Sequence, residues 1–196
     1  MRKREVVVFH SALGLRPGLL QWAQRLRDAG HWVHTPDLYD GEVFHDVGGA
    51  VRKIQEIGFD GMLERSMAAV SQLPEQMMYV GFSNGGACAE LLAATRPGAE
   101  AAILIGAPLP IRELGWDVWP GSVPVQVHFS ENDARRSQPI IDRLKERVLG
   151  SGARFEEHTY AGSCHHLADP DWPDYNADAA ALVFDRVVKF LDSDCT

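Results

Sequence analysis

Short, near-continuous apolar runs alternate with stretches of helical periodicity along this sequence, and that alternation restricts the fold more than any other feature. Parallel strands covered by crossover helices on both sheet faces read as continuous apolar runs, because neither face meets water. Residues 5–9, 32–36, 77–82, 101–107 and 123–129 fit central strands of this kind. Residues 153–160 differ, since Arg154, Glu156 and His158 alternate with other residues, which places that strand nearer a sheet edge. Between the strands, Leu19, Trp22, Ala23, Leu26 and Ala29 recur at helical spacing after Pro17 and stop at Gly30. Ile140, Ile141, Leu144 and Val148 repeat the pattern after Ser137, a candidate N-cap, with Gly150 as the closing residue. Ala180, Val183, Val187, Phe190 and Leu191 give the last helix its apolar face. Residues 41–73 hold helix in 51–57 and 62–73, interrupted around Gly58 and Gly61. The pattern predicts an α/β fold: a mainly parallel sheet of about six strands with helices on both faces.

A chain of 196 residues is long enough for one well-buried core and short for two, so residues 1–196 are expected to form a single domain. The net charge of −8 repels polyanions, so neither nucleic acid nor an anionic membrane surface is an expected partner. Three cysteines, Cys88, Cys164 and Cys195, are an odd number without a CxxC pair, which suggests neither a disulfide framework nor a zinc site and fits a reducing compartment. The basic start, Arg2 to Arg4, precedes an apolar run too short for a signal peptide and rich in β-branched residues, which reads better as a first buried strand. No stretch approaches the roughly 20 apolar residues of a membrane span, and a cytoplasmic protein is the expectation. Residues 109–124, rich in Pro, Gly and Trp, read as a long loop of the kind that is often functional.

Chemistry concentrates at Gly81-Phe82-Ser83-Asn84-Gly85-Gly86, which matches G-x-S-x-G between a predicted strand and a predicted helix. In such a strained turn, glycines let neighbouring backbone pass close to an exposed hydroxyl, and the helix start presents its positive end to developing negative charge. A dinucleotide loop is the weaker reading: G-x-G-x-x-G is absent, and the first strand leads into His10-Ser11-Ala12-Leu13-Gly14 instead. A hydroxyl nucleophile needs a base and an acid, in the chain order Ser, then Asp or Glu, then His in α/β hydrolases. Asp133 and Glu131 follow the strand at 123–129, and His165 and His166 follow the strand at 153–160, beyond the carboxyl ends where open α/β sheets bind ligands. Asp133 lies deeper in its turn and is preferred, although Glu131 is within reach; spacing does not decide between the two histidines. His31 and His34 are three apart on a strand and face opposite sides, so a structural role suits them better than a metal. Cys88 reads as a small packing residue, Cys164 as a neighbour of the site, and Trp116 and Trp119 as candidate walls of an acyl pocket.

These segments resemble the dienelactone hydrolase family along nearly the whole chain. Pro36-Asp37-Leu38-Tyr39 resembles its PDLY segment, residues 81–86 its nucleophile elbow, residues 129–133 its acid turn, and Tyr160-Ala161-Gly162-Ser163-Cys164-His165 its YxGxxH loop. The resemblance selects Asp133 over Glu131 and His165 over His166. Three positions depart from the family's namesake enzyme: Ser83 stands where it has cysteine, Ser11 where a glutamate contacts the resting thiol, and Asp169 where an arginine meets the anionic lactone. The first two changes are mutually consistent, and the third argues against that lactone as substrate. The resemblance also implies an α/β-hydrolase fold trimmed of its leading hairpin, with no large lid.

The expected activity is hydrolysis of a small-molecule ester or lactone through an acyl-enzyme, with Ser83 as nucleophile, His165 as base and Asp133 as orienting acid. Backbone N–H groups of Asn84 and, by resemblance, Ala12 would form the oxyanion hole, and Ser11, Trp116, Trp119 and His166 are candidate pocket residues. Neither a metal nor an organic cofactor is called for. A noncatalytic ligand-binding protein of the same fold is the competing class, against which a complete Ser, Asp and His set argues.

Overall fold

The computed structural model describes residues 3–108 and 118–193. Trp116 and Cys195 lie outside the described residues. The strands are β1 (Glu5–Phe9), β2 (Trp32–His34), β3 (Met77–Phe82), β4 (Ala99–Ile105), β5 (Val125–Ser130) and β6 (Phe155–Tyr160). They form one sheet in the order β2-β1-β3-β4-β5-β6, and every neighbouring pair is parallel. The helices are α1 (Pro17–Asp28), α2 (Val47–Val70), α3 (Gly85–Thr95), α4 (Gln138–Gly150) and α5 (Ala177–Asp192).

Strand alternation divides the core into two layers. Val6 and Val8 of β1 pack with Leu19, Trp22 and Leu26 of α1 and Val183 and Val187 of α5. Val7 and Phe9 face the other way, toward Met62 of α2, Leu92 of α3 and Ile141 and Leu144 of α4. Successive strand side chains point to opposite faces, so an all-apolar strand serves both layers at once. β5 is the exception: Val125, Val127 and Phe129 join the second layer, while Gln126, His128 and Ser130 form a buried polar row on the opposite face. His128 Nε2 donates to Gln126 Oε1 (2.8 Å), which leaves Nδ1 to accept from the Tyr160 hydroxyl (2.7 Å). Burial holds the His128 pKa well below the usual histidine range, in keeping with that neutral form.

Three expectations are corrected. The strand expected centrally at 32–36 is a three-residue edge strand with Trp32 58% exposed; β6 takes the opposite edge, as its alternation suggested. α4 ends at Gly150 as expected, but the left-handed residue that completes its cap is Gly152, whose φ of 91° follows the cap residue Ser151; Ala153 N–H bonds to Val148 O and Gly152 N–H to Leu149 O. Ser137 occupies the N-cap position of α4, but its hydroxyl makes no capping bond. The interruption expected near Gly58 is real, with φ of 74° there inside α2. Among the described residues, no helix is long and apolar enough to cross a membrane.

Candidate active site

Ser83 sits between the last residue of β3 and the first turn of α3, with a left-handed φ of 49°. That backbone costs a non-glycine residue about 1–2 kcal/mol, so the surroundings must enforce it. Three glycines allow the turn. A Cβ on Gly81 would stand 2.3 Å from Gly85 O, one on Gly85 2.4 Å from His10 O, and one on Gly86 2.3 Å from Ala107 Cβ. The end of the first strand is therefore in backbone contact with the elbow, and the Ala107 methyl, just beyond β4, packs against it. Ser83 N–H bonds to Ile105 O at 2.7 Å and Gly86 N–H to Ser83 O at 2.8 Å, which fixes the hydroxyl at the sheet's carboxyl edge.

The turn after β5 carries Asp133 and the loop after β6 carries His165; backbone bonds zip the two together. Glu131 N–H bonds to Tyr160 O and Asn132 N–H to Gly162 O, while the Ser130 hydroxyl donates to Cys164 O at 2.6 Å. In this arrangement Ser83 Oγ lies 2.7 Å from His165 Nε2, and His165 Nδ1 lies 2.6 Å from Asp133 Oδ2. The carboxylate accepts, so Nδ1 carries the proton and Nε2 is free to accept from the serine hydroxyl. Asp133 is buried, and burial alone would raise its pKa; the hydrogen bonds from His165 and from Arg135 N–H outweigh that and hold the carboxyl below its usual range.

The competing residues lie apart from this row. Glu131 is exposed on the outside of the turn. His166 packs edge-on against Trp172, with ring centroids 4.7 Å apart, and burial followed by repulsion from His165 pushes its pKa down to about 3. Asp169, another departure from the namesake, forms an ion pair with buried Arg16 at 3.3 Å. Burial raises its pKa.

Ser83 opens into a cleft of about 190 Å³ that Ala12, Asn84, His165 and His166 also line. Among the described residues, no protein group accepts from the N–H of Ala12 or Asn84. The loop carrying Ala12 is held from both sides. His10 donates from Nδ1 to Ser11 O (2.8 Å) and accepts at Nε2 from Leu38 N–H (3.0 Å), while Ser11 Oγ accepts from Leu13 N–H. A single neutral tautomer satisfies both ring bonds of His10, and its burial lowers the pKa accordingly.

Two expected pocket residues belong elsewhere. Trp119 is 1% exposed and packs into the core layer with Val123, its Nε1 donating to Val123 O; the corner leading into β5 needs a large apolar filler, and Trp119 supplies it. Ser11 faces a separate void of about 10 Å³ beside Arg16 and Asp169, not the cleft. Cys164 is buried and bears on the site through its backbone carbonyl, and Cys88 is 1% exposed in the core. Sequence reasoning missed Gly106, whose φ of 66° favours glycine and whose missing side chain lets the backbone of His165 approach; a Cβ there would stand 3.1 Å from His165 O, with the ring at contact distance. It also missed Arg135 and the α2 face formed by Val47, Ala50, Val51 and Ile54, all of which line the cleft. Among the described residues, no group of three His, Cys, Asp or Glu side chains is placed to hold a metal ion.

The model of the dienelactone hydrolase family matches residues 1–194. Among curated proteins, none matches the chain. The structure is similar to that of a dienelactone hydrolase-like promiscuous phosphotriesterase from metagenomic libraries, with a TM-score of 0.79 and 21% identity over 96% of this chain and 85% of that one. It is similar also to a Bacillus cereus carboxylesterase (TM-score 0.57, 16% identity, 94% and 88% covered). An esterase of the planctomycete Thermogutta terrifontis, solved with propionate bound, gives a TM-score of 0.65 at 15% identity, with 96% and 83% covered. These likenesses show the α/β-hydrolase fold, here a six-stranded sheet with five helices and no lid among the described residues.

Proposed function

The chain belongs to the dienelactone hydrolase family, and from that premise we propose that it hydrolyses small carboxylic esters or lactones through an acyl-enzyme on Ser83. The observation that carries this reading is the hydrogen-bonded row Ser83, His165 and Asp133, at 2.7 and 2.6 Å, opening into a cleft that Ala12 and Asn84 also line. Ser83 Oγ attacks the carbonyl carbon as its proton passes to His165 Nε2. Asp133, ionised and buried, stabilises the imidazolium and keeps its ring oriented. The carbonyl oxygen, now an anion, takes the N–H groups of Ala12 and Asn84 near the positive end of α3. Collapse of the tetrahedral adduct breaks the bond to the leaving oxygen, which receives the proton from Nε2. Water then enters, His165 removes its proton, and the same steps in reverse release the acid and restore Ser83.

Substitution of Ser83 by Ala tests the reading with p-nitrophenyl acetate as substrate. Loss of the nucleophile lowers kcat by something on the order of 10⁶-fold in a serine hydrolase, and that loss is the expected result. Turnover within about tenfold of the unsubstituted protein would move the nucleophile away from Ser83.

A further inference from the structure

The first turns of α2 line the cleft with a face whose polarity runs against the usual pattern. Val47, Ala50, Val51 and Ile54 follow the i, i+3, i+4, i+7 spacing of one helical face and border the same cleft as Ser83. Val47 and Val51 are 38% and 42% exposed, whereas Lys53, on the same turns, is buried with ion pairs to Glu42 and Glu56. An amphipathic helix normally does the reverse, burying its valines and exposing its lysine.

This segment is fastened in place and cannot readily rotate its valines inward. The Asp46 side chain caps α2 by accepting from Gly49 N–H, where a Cβ would stand 2.8 Å from the Phe44 ring. Phe44 N–H bonds to Leu13 O at 2.9 Å, and a Cβ on Gly14 would stand 2.3 Å from Glu42 O. The apolar face is thus held in register with the loop that presents the Ala12 N–H. Arg135, the cation at the cleft, belongs instead to the turn of Asp133, on the side of His165.

We propose that this α2 face receives the acyl chain of the substrate, so that the protein prefers aliphatic acyl groups longer than acetyl, with Val51 and Ile54 as specificity-determining residues. The assignment rests on the hydrolase reading given above. The leaving oxygen must face His165 Nε2 to take its proton and the carbonyl oxygen must face the Ala12 and Asn84 N–H groups, so the acyl carbon chain takes the remaining wall of the cleft, which α2 supplies. At about 190 Å³ the cleft is smaller than the roughly 300–1,000 Å³ of sites for drug-sized ligands, which suits a short chain. A fully buried methylene is worth about 0.8 kcal/mol, a factor of about 4 in kcat/KM. Because the wall is open on one side, a gain of about two- to fourfold per methylene is expected until the slot fills.

The test compares p-nitrophenyl esters from acetate to octanoate with alkyl acetates from methyl to hexyl. In the unsubstituted protein kcat/KM should climb along the acyl series and stay nearly level along the alcohol series. Val51→Asp and the milder Ile54→Ala should flatten the acyl slope, while Leu182→Asp, on an exposed position of α5, should keep it. A level acyl series, a rise along the alcohol series alone, or an undiminished slope in both cleft variants would overturn the assignment. A fluorophosphonate probe separates the two levels of failure. Labelling of Ser83 together with a level acyl series removes only the acyl wall; no labelling and no turnover of any ester removes the hydrolase reading and the wall with it.

Discussion

Replacing Ser130 with Ala should damage catalysis through a residue that touches no substrate. Ser130 ends β5, is 2% exposed, and donates its hydroxyl to Cys164 O, the carbonyl immediately before His165. Its own carbonyl accepts from Asp133 N–H at 3.3 Å, so one residue ties the acid turn to the histidine loop. Ser130→Ala leaves a buried carbonyl without its donor, which costs about 1–3 kcal/mol. At about 2–4 °C per kcal/mol for a domain of this size, Tm should fall by a few degrees to about 10 °C. The freed carbonyl also loosens the placement of His165 against Ser83, and a displacement of about 1 Å can cost on the order of 10²-fold in rate. The expected outcome is therefore a kcat lowered by about 10- to 100-fold with KM little changed, partly restored by Ser130→Thr. Calorimetry paired with ester kinetics reads both quantities. A lowered Tm with kcat held within about twofold would show that the hydroxyl only stabilises the loop.

Asp133→Asn should reduce kcat by roughly 10⁴-fold through loss of imidazole orientation, as in other serine hydrolases, while Glu131→Gln, on an exposed position, should change it little; the opposite ranking in steady-state assays would reassign the acid. Gly106→Ala places a Cβ 3.1 Å from His165 O at a φ of 66°, so kcat should fall further than KM rises, and an unaltered kcat would show that the His165 loop absorbs the contact. Acid should destabilise the fold through His166, whose pKa drops from 6.5 to about 3 on folding. Within that window the unfolded chain takes up a proton that the native state refuses, so stability falls as pH is lowered, by up to about 1.4 kcal/mol per unit. His166→Gln should flatten that slope in urea titrations below about pH 6.5, and an unchanged slope would locate the acid sensitivity elsewhere.

What could be read from the sequence was what local pattern and spacing determine. β3 runs over Met77–Phe82 as expected, because a continuous apolar run ends at a glycine-rich turn that nothing but the elbow accommodates. The order of Ser83, Asp133 and His165 along the chain was legible for a similar reason, since each follows a strand. The edge position of β2 was not legible, because strand order depends on which crossovers pack where, and the apolar content of residues 32–36 is the same in either place. Gly150 and Gly152 flank a single serine, and only the backbone angles show that the left-handed cap falls on Gly152 while the helix ends at Gly150. The cleft wall on α2 escaped notice for a more instructive reason. Its valines face solvent and its Lys53 is buried, so the periodicity that marks a core-facing helix is weakened where the helix serves the cleft instead. Trp119 shows the converse: an aromatic in a loop-like segment is as much a core filler as a binding wall, and only packing distinguishes them.

The acyl-enzyme mechanism requires a covalent bond between substrate and Ser83, and rapid acid quenching of the reaction with p-nitrophenyl acetate, followed by peptide mass spectrometry, reads that bond directly. An added acetyl group is expected on the peptide containing Ser83, accumulating in step with the first burst of nitrophenol and missing in Ser83→Ala. An acetyl group found instead on Cys164 or His166, or brisk turnover with Ser83 never modified, would contradict it.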